Sequence, residues 1–255
     1  MKKNDYLDTY GFKVLKVSKY ITNTISKGIL KNIHSKFPRN DLVNFKKQIN
    51  FVLNLTDKEF KENFGKNPQR ILDYKTNKIV NEWVKKKITK ELNCKKASLN
   101  MISKYDLQNN TLLKKDQFNV FFRIVRKNKN DVGYPHRDSS FWKLGKLYSR
   151  EAPFKYKQLW KFWIPIFGVN KMNSLRLIKE SHKDKIALKY KKVDNYLKPL
   201  IPESYIKKNH KKIIVPIKNF DGKEGILFHC DTVHFGPKNK ITKCRISAEF
   251  NILVS

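Results

Sequence analysis

Apolar and polar positions change rhythm near the middle of the chain. Up to about residue 115 the apolar residues recur mostly at helical spacing; from residue 117 they come in short alternating runs. The clearest helical stretch is Pro68 to Leu92. Ile79, Val80, Trp83, Val84, Ile88 and Leu92 form one stripe, and Lys85, Lys86, Lys87 and Lys90 fill the opposite, solvated side. Thr56-Asp57-Lys58-Glu59 has the form of a capping box and predicts a helix start. Asp41 is placed to cap a helix running through Leu53, and Thr24 to His34 reads as another helix before Pro38 interrupts the pattern. Ahead of these, Tyr10 to Val17 alternates and suits an outer strand.

The second half predicts strands at Phe118–Val125, Leu159–Phe167, Leu175–Ile178, Ile213–Ile217, Gly225–Val233 and Arg245–Val254, with a turn at Asp221-Gly222. The last strand alternates cleanly. Ile246, Ala248, Phe250 and Ile252 share one face; Arg245, Ser247, Glu249 and Asn251 share the other. Several short strands of this kind suggest a double-sheet jelly roll. Residues around Lys185 to Leu200 read as a helical or irregular insertion. The expected architecture is mainly β with α: a helical region over residues 1–116 supporting a β core over 117–255, as one structural domain.

At 255 residues and 30.3 kDa such a core needs no covalent staples. Cys94, Cys230 and Cys244 are odd in number and lack CxxC spacing, which argues against a disulfide framework or structural zinc and for a reducing, cytoplasmic setting. No apolar run near the N-terminus resembles a secretory signal, and none in the chain is long enough to span a membrane. The formal charge is +34, from 56 basic and 22 acidic residues. Only eight of the basic residues are Arg, the side chain best suited to bidentate phosphate recognition, and the lysines are spread along the whole chain. Compositional bias therefore accounts for the charge better than a dedicated nucleic-acid surface, and no specific nucleic-acid partner is expected. The field still favours acidic small molecules.

Candidate chemistry lies in Gly133-Tyr134-Pro135-His136-Arg137-Asp138. On an extended strand His136 and Asp138 would face the same way, and His234 could supply a third ligand. Two histidines and one carboxylate on one side of a metal is the ligand set of non-haem Fe(II) oxygenases. A rival pair, His229 and Asp231, has no histidine beyond His234 to complete it, which leaves His229 as a supporting residue.

Together His136-x-Asp138, His234 and Arg245 resemble the Fe(II)/2-oxoglutarate-dependent oxygenases, and most closely the phytanoyl-CoA dioxygenase-like branch. Leu159–Ile166 is similar to that branch's tryptophan-bearing strand. Leu175–Lys183 is similar to its Pro-Gly-Ser-His segment, with Lys179-Glu180 in place of Pro-Gly. Phe228–Ser247 matches its His…Asn…Arg-x-Ser ending, with Asn239 in the loop. The resemblance covers about residues 117 to 255 and implies a double-stranded β-helix core. It further implies Fe(II) on His136, Asp138 and His234, and 2-oxoglutarate and O2 as cosubstrates. Arg245 would take the distal carboxylate of 2-oxoglutarate, with Ser247 and Trp163 (or Trp160) nearby. Halogenases of this kind carry a small residue where Asp138 stands, so the carboxylate implies hydroxylation or another oxidation and not halogenation; the expected activity is hydroxylation of a small, anionic molecule. The alternatives are a nucleic-acid-modifying oxygenase and an inactive jelly-roll binding protein. Tyr148, Arg150 and Lys143 are within chain reach of the metal loop as substrate contacts.

Overall fold

The structure, a computed structural model, describes residues 5–38, 44–101, 107–108, 110–145, 158–193 and 196–255. Asp5–Tyr10 (α1) leads into β1 (Phe12–Lys16). Four helices follow: α2 (Lys19–Lys36), α3 (Phe45–Leu53), α4 (Asp57–Phe64) and α5 (Tyr74–Leu92). After β2 (Ala97–Leu99) and β3 (Val120–Arg126) come a short helix, α6 (Asp138–Gly145), and two strands, β4 (Gln158–Phe167) and β5 (Arg176–Ile178). A hairpin, β6 (Lys189–Val193) and β7 (Tyr196–Leu200), precedes α7 (Glu203–Lys208). The chain closes with β8 (Ile213–Ile214), β9 (Glu224–His229), β10 (His234–Phe235) and β11 (Cys244–Val254).

The main antiparallel sheet runs β1-β9-β4-β11-β2, with β3 also paired to β11; β10-β5-β8 form a smaller sheet. Residues opposite each other on antiparallel strands point to the same side. On one side of the main sheet lie Phe122, Ile124, Phe162, Ile164, Ile246, Ala248, Phe250 and Ile252, all in one core cluster with the helices. Ile21, Ile25, Ile29 and Ile33 of α2 and Val80, Val84 and Ile88 of α5 meet them at helical spacing. Each such side chain contributes roughly 1.5–3 kcal/mol on burial. Gly28 of α2 lies so close to Thr76 of α5 that a Cβ there would sit 2.8 Å from its hydroxyl, so the two helices cross closely.

Local chemistry sets the helix ends. Ser18 accepts from Ile21 N, which starts α2 a turn and more earlier than Thr24. Thr56 and Glu59 form the reciprocal cap expected for α4. Asn44 caps α3, while Asp41 lies outside the described residues. The helix expected from Pro68 begins only at Tyr74, capped by Asp73. Ile71 instead pairs with Phe121, and Leu72 N bonds to Val120 O, so backbone groups that a helix would have used go to the sheet.

Three further differences concern strands. The Lys185–Leu200 stretch is not helical: Lys189 to Val193 pairs with Tyr196 to Leu200 as a hairpin. The run Gly225–Val233 breaks after His229, where Thr232 N returns to His229 O, and β10 then joins the other sheet. β1 and β2, both from the first hundred residues, belong to the main sheet, so that region supplies strands as well as helices. No disulfide joins the described cysteines, and no described helix is long and apolar enough to cross a membrane.

Candidate metal centre

His136 and His234 come from distant parts of the chain and meet by backbone pairing. His136 N donates to His234 O at 3.2 Å, and His234 N donates to His136 O at 3.0 Å. Asp138 is not on an extended strand: it is the first residue of α6, and the turn into that helix brings its carboxylate back between the two rings. His136 Nε2 lies 3.8 Å from Asp138 Oδ1, and His234 Nε2 lies 3.8 Å from Asp138 Oδ2. One ligand atom from each residue falls within 4.8 Å of the others.

Each ring is held through its other nitrogen. His136 Nδ1 donates to Tyr134 O at 2.7 Å and His234 Nδ1 donates to Thr232 O at 3.0 Å. That tautomer leaves both Nε2 lone pairs free and directed at Asp138, as metal binding requires. Burial lowers the pKa of both imidazoles, that of His136 to about 3, so both are neutral. Burial alone would raise the Asp138 carboxyl; the neighbouring positive charge, Lys161 foremost, outweighs it and keeps the group ionised. Asp138 Oδ2 is buried and makes no hydrogen bond. A buried, ionised, unsatisfied oxygen facing two neutral imidazoles is the donor set a divalent iron would complete.

The polar side of the main sheet forms the chamber around this centre. Lys161 Nζ lies 3.6 Å from Asp138 Oδ2 and 3.6 Å from Glu249 Oε2, and Arg123 Nε lies 3.2 Å from Glu249 Oε1. Lys161, Glu249 and Arg123 were not among the sequence-derived candidates. Each is a charge in an otherwise apolar or alternating strand, which is the signal that could have found them. Arg245 is buried on the same face. One of its terminal nitrogens donates to Asn173 O, Gly236 lies flat against the other, and its Nε is unpartnered. A Cβ at Gly236 would approach that guanidinium to 2.0 Å, so a side chain there would have to displace it. Burial lowers the Arg245 pKa to about 10, which leaves it fully charged.

Ser247 is buried opposite Arg123 on one side and Pro165 on the other. Trp163 faces Glu249 across the strand pair but packs among Phe12, Leu177, Ile226 and Phe228; Trp160 lies on the opposite side, in the helix-covered core. Asn239 organises the loop before β11, donating to Val125 O and Thr242 O. Ser181 accepts from Val233 N at 2.9 Å and donates to Ile178 O at 2.7 Å, which fixes the residue before His234. Glu180 holds a left-handed φ of 64°, a conformation glycine adopts freely, and pairs with Lys212 at 2.7 Å. His229 and Asp231 do not join the triad. The Asp231 amide donates to His229 Nδ1, and the Asp231 carboxylate accepts from Ser139. Tyr148 and Arg150 lie outside the described residues, as does the side chain of Lys143.

A family model described as phytanoyl-CoA dioxygenase matches residues 37–247. The chain belongs to the phytanoyl-CoA dioxygenase family. The match begins well before residue 117, so α3, α4 and α5 fall within what the family model covers, while α1 and α2 precede it. No curated protein sequence matches the chain significantly. Among solved structures it resembles EctD from S. alaskensis with 2-oxoglutarate and 5-hydroxyectoine. That pair has a TM-score of 0.58 at 13% identity, over 99% of this chain and 75% of that one. AviO1 from Streptomyces viridochromogenes Tue57 gives 0.52 at 9% identity, over 98% and 92%. The non-heme monooxygenase ThoJ gives 0.53 at 8%, over 99% and 77%. These identities establish a common fold, a jelly roll with helices against it. As a phytanoyl-CoA dioxygenase family member the protein is an Fe(II)/2-oxoglutarate-dependent oxygenase, with iron as its metal and 2-oxoglutarate and O2 as cosubstrates.

Proposed function

We propose that this oxygenase hydroxylates a small, anionic molecule. The balance is one O2 and one 2-oxoglutarate consumed, succinate and CO2 released, and one oxygen atom placed on a substrate C–H carbon. His136, Asp138 and His234 hold the Fe(II), which supplies the oxygen-activating redox chemistry when bound. Arg245, whose Nε is unpartnered, binds the distal carboxylate of 2-oxoglutarate, Ser247 adds a hydroxyl beside it, and Trp163 belongs to the wall of that pocket. Asp138 occupies the position a halide would need, which favours hydroxylation. The charge of +34 favours acidic substrates, and a reducing cytosol suits both Fe(II) and the unbridged cysteines.

The observation that carries this reading is the convergence of two imidazole nitrogens on the buried Asp138 carboxylate, one oxygen of which has no hydrogen-bond partner. The test is an anaerobic titration of metal-stripped protein with Fe(II) and then 2-oxoglutarate, following visible charge-transfer absorption beside Arg245→Ala. A band that appears in wild type and needs far more 2-oxoglutarate in the variant supports it. A folded wild type with no band sinks it.

A further inference from the structure

The chamber beside the metal centre holds more positive charge than iron and 2-oxoglutarate can use. Among the described residues Arg123, Lys161 and Arg245 face Asp138 and Glu249, an excess of one cation, and Arg70 lies buried behind them. A divalent iron and a doubly charged 2-oxoglutarate cancel, so loading the site leaves the excess in place. On the reading above, both carboxylates of 2-oxoglutarate are also committed, one at the metal and one at Arg245. Lys161 is committed as well, set between Asp138 and Glu249. That leaves Arg123. Its Nε bonds to Glu249, and its two terminal nitrogens have no partner among the described residues. Its side chain is 29% exposed, against 6% for Lys161, so it alone of the pair opens toward solvent.

We propose that Arg123 binds an oxyanion of the substrate, a carboxylate, phosphate or sulfate group, and so sets the substrate class. Its place in the sheet suits this. Arg123 stands directly opposite Ser247 in the β3–β11 register, on the face that carries Arg245 and Glu249. The approach is basic too. Ile201 N, just past the β6–β7 hairpin, donates to Pro135 O, and Lys191 of the hairpin lies over the Tyr134 ring, which sets a lysine beside the metal loop. A guanidinium offering two N–H groups in one plane is the side chain best matched to such an anion.

This inference rests on the oxygenase reading of the site, and one experiment separates the two. The anaerobic Fe(II)·2-oxoglutarate complex of the full chain is titrated calorimetrically with inorganic sulfate. About 0.15 M chloride keeps the Debye length near 8 Å and screens surface lysines. Wild type, Arg123→Gln and Arg123→Lys are compared, with the charge-transfer band recorded for each. The expected result is one saturable sulfate site in wild type, weakened roughly tenfold or more in Arg123→Gln and partly kept in Arg123→Lys, with the 2-oxoglutarate midpoint unmoved. Three results overturn the proposal: no saturable site in wild type, an unchanged site in Arg123→Gln, or a 2-oxoglutarate midpoint shifted as in Arg245→Ala. The last would make Arg123 a cosubstrate anchor. A wild type without any band would instead reject the oxygenase reading, and the sulfate comparison would still report on Arg123.

Discussion

The two sides of the main sheet are made from alternate residues of the same strands, yet they do opposite work. On β11, Ile246, Ala248, Phe250 and Ile252 bury themselves against α2 and α5, while Arg245, Ser247 and Glu249 bury charge and hydroxyl groups one residue away. The first set gains stability from every side chain removed from water. The second set costs stability, because desolvating charges is repaid only in part by their pairing. Burial would raise the Glu249 carboxyl, and only Lys161, Arg123 and Arg70 together hold it well below the ordinary range. The helix-covered side supports the polar side energetically, and a one-residue slip of register would exchange the two.

The sharpest way to break this contrast is His234→Ala. Fe(II)-dependent succinate formation should fall to background while the far-ultraviolet circular dichroism stays as in wild type. Phe250→Ala is the mirror experiment: urea unfolding should show a loss of about 3–5 kcal/mol, with the 2-oxoglutarate midpoint of the folded protein little changed. Lys161→Met tests a residue that belongs to the costly side. It strips a buried carboxylate pair of one cation, so metal-free protein should lose roughly 3 kcal/mol. Fe(II) should restore more of the melting temperature than it adds to wild type, because the ion takes over compensation of Asp138. Ser181→Ala should weaken Fe(II) binding by about tenfold, as expected for a residue that orients a ligand through its backbone.

The smallest effect lies on the helical side. Burial, with help from Arg70, lowers the Lys36 ammonium to about 7. Between that value and the ordinary one of 10.5 the unfolded chain binds the extra proton, so stability should rise as pH climbs from about 7 toward 10. Lys36→Met should flatten that rise in unfolding curves taken across the window.

Much of this contrast was legible in the sequence. The period-two alternation of Arg245 to Val254 predicts both faces of β11, and the Thr56–Glu59 cap and the α5 stripe lie where their chemistry puts them. What local pattern could not supply was the use of long-range partners. Pro68 to Leu92 has helical periodicity throughout, but Ile71 and Leu72 bond to β3. Asp138 sits two residues from His136, and strand geometry would have sufficed to join them, yet the carboxylate reaches its place by starting a helix. Lys185 to Leu200 hides its strands because lysines fill both faces of an exposed hairpin. For the three charged residues of the chamber, a lone Lys or Arg in an apolar strand was visible, but only the register shows that Lys161 and Arg123 grip the same Glu249.

The backbone clasp between His136 and His234 joins segments roughly a hundred residues apart, and closing so long a loop is an entropically late event in folding. The three ligand atoms therefore have no common location until the intervening strands, the hairpin and both sheets are in place. Partly folded or truncated chains offer scattered imidazoles to iron, and only the finished fold offers a site. With iron on the proposed ligands, metal occupancy would in that sense be a readout of completed assembly, and a redox-active ion would be kept from chains that have no chamber to contain its chemistry.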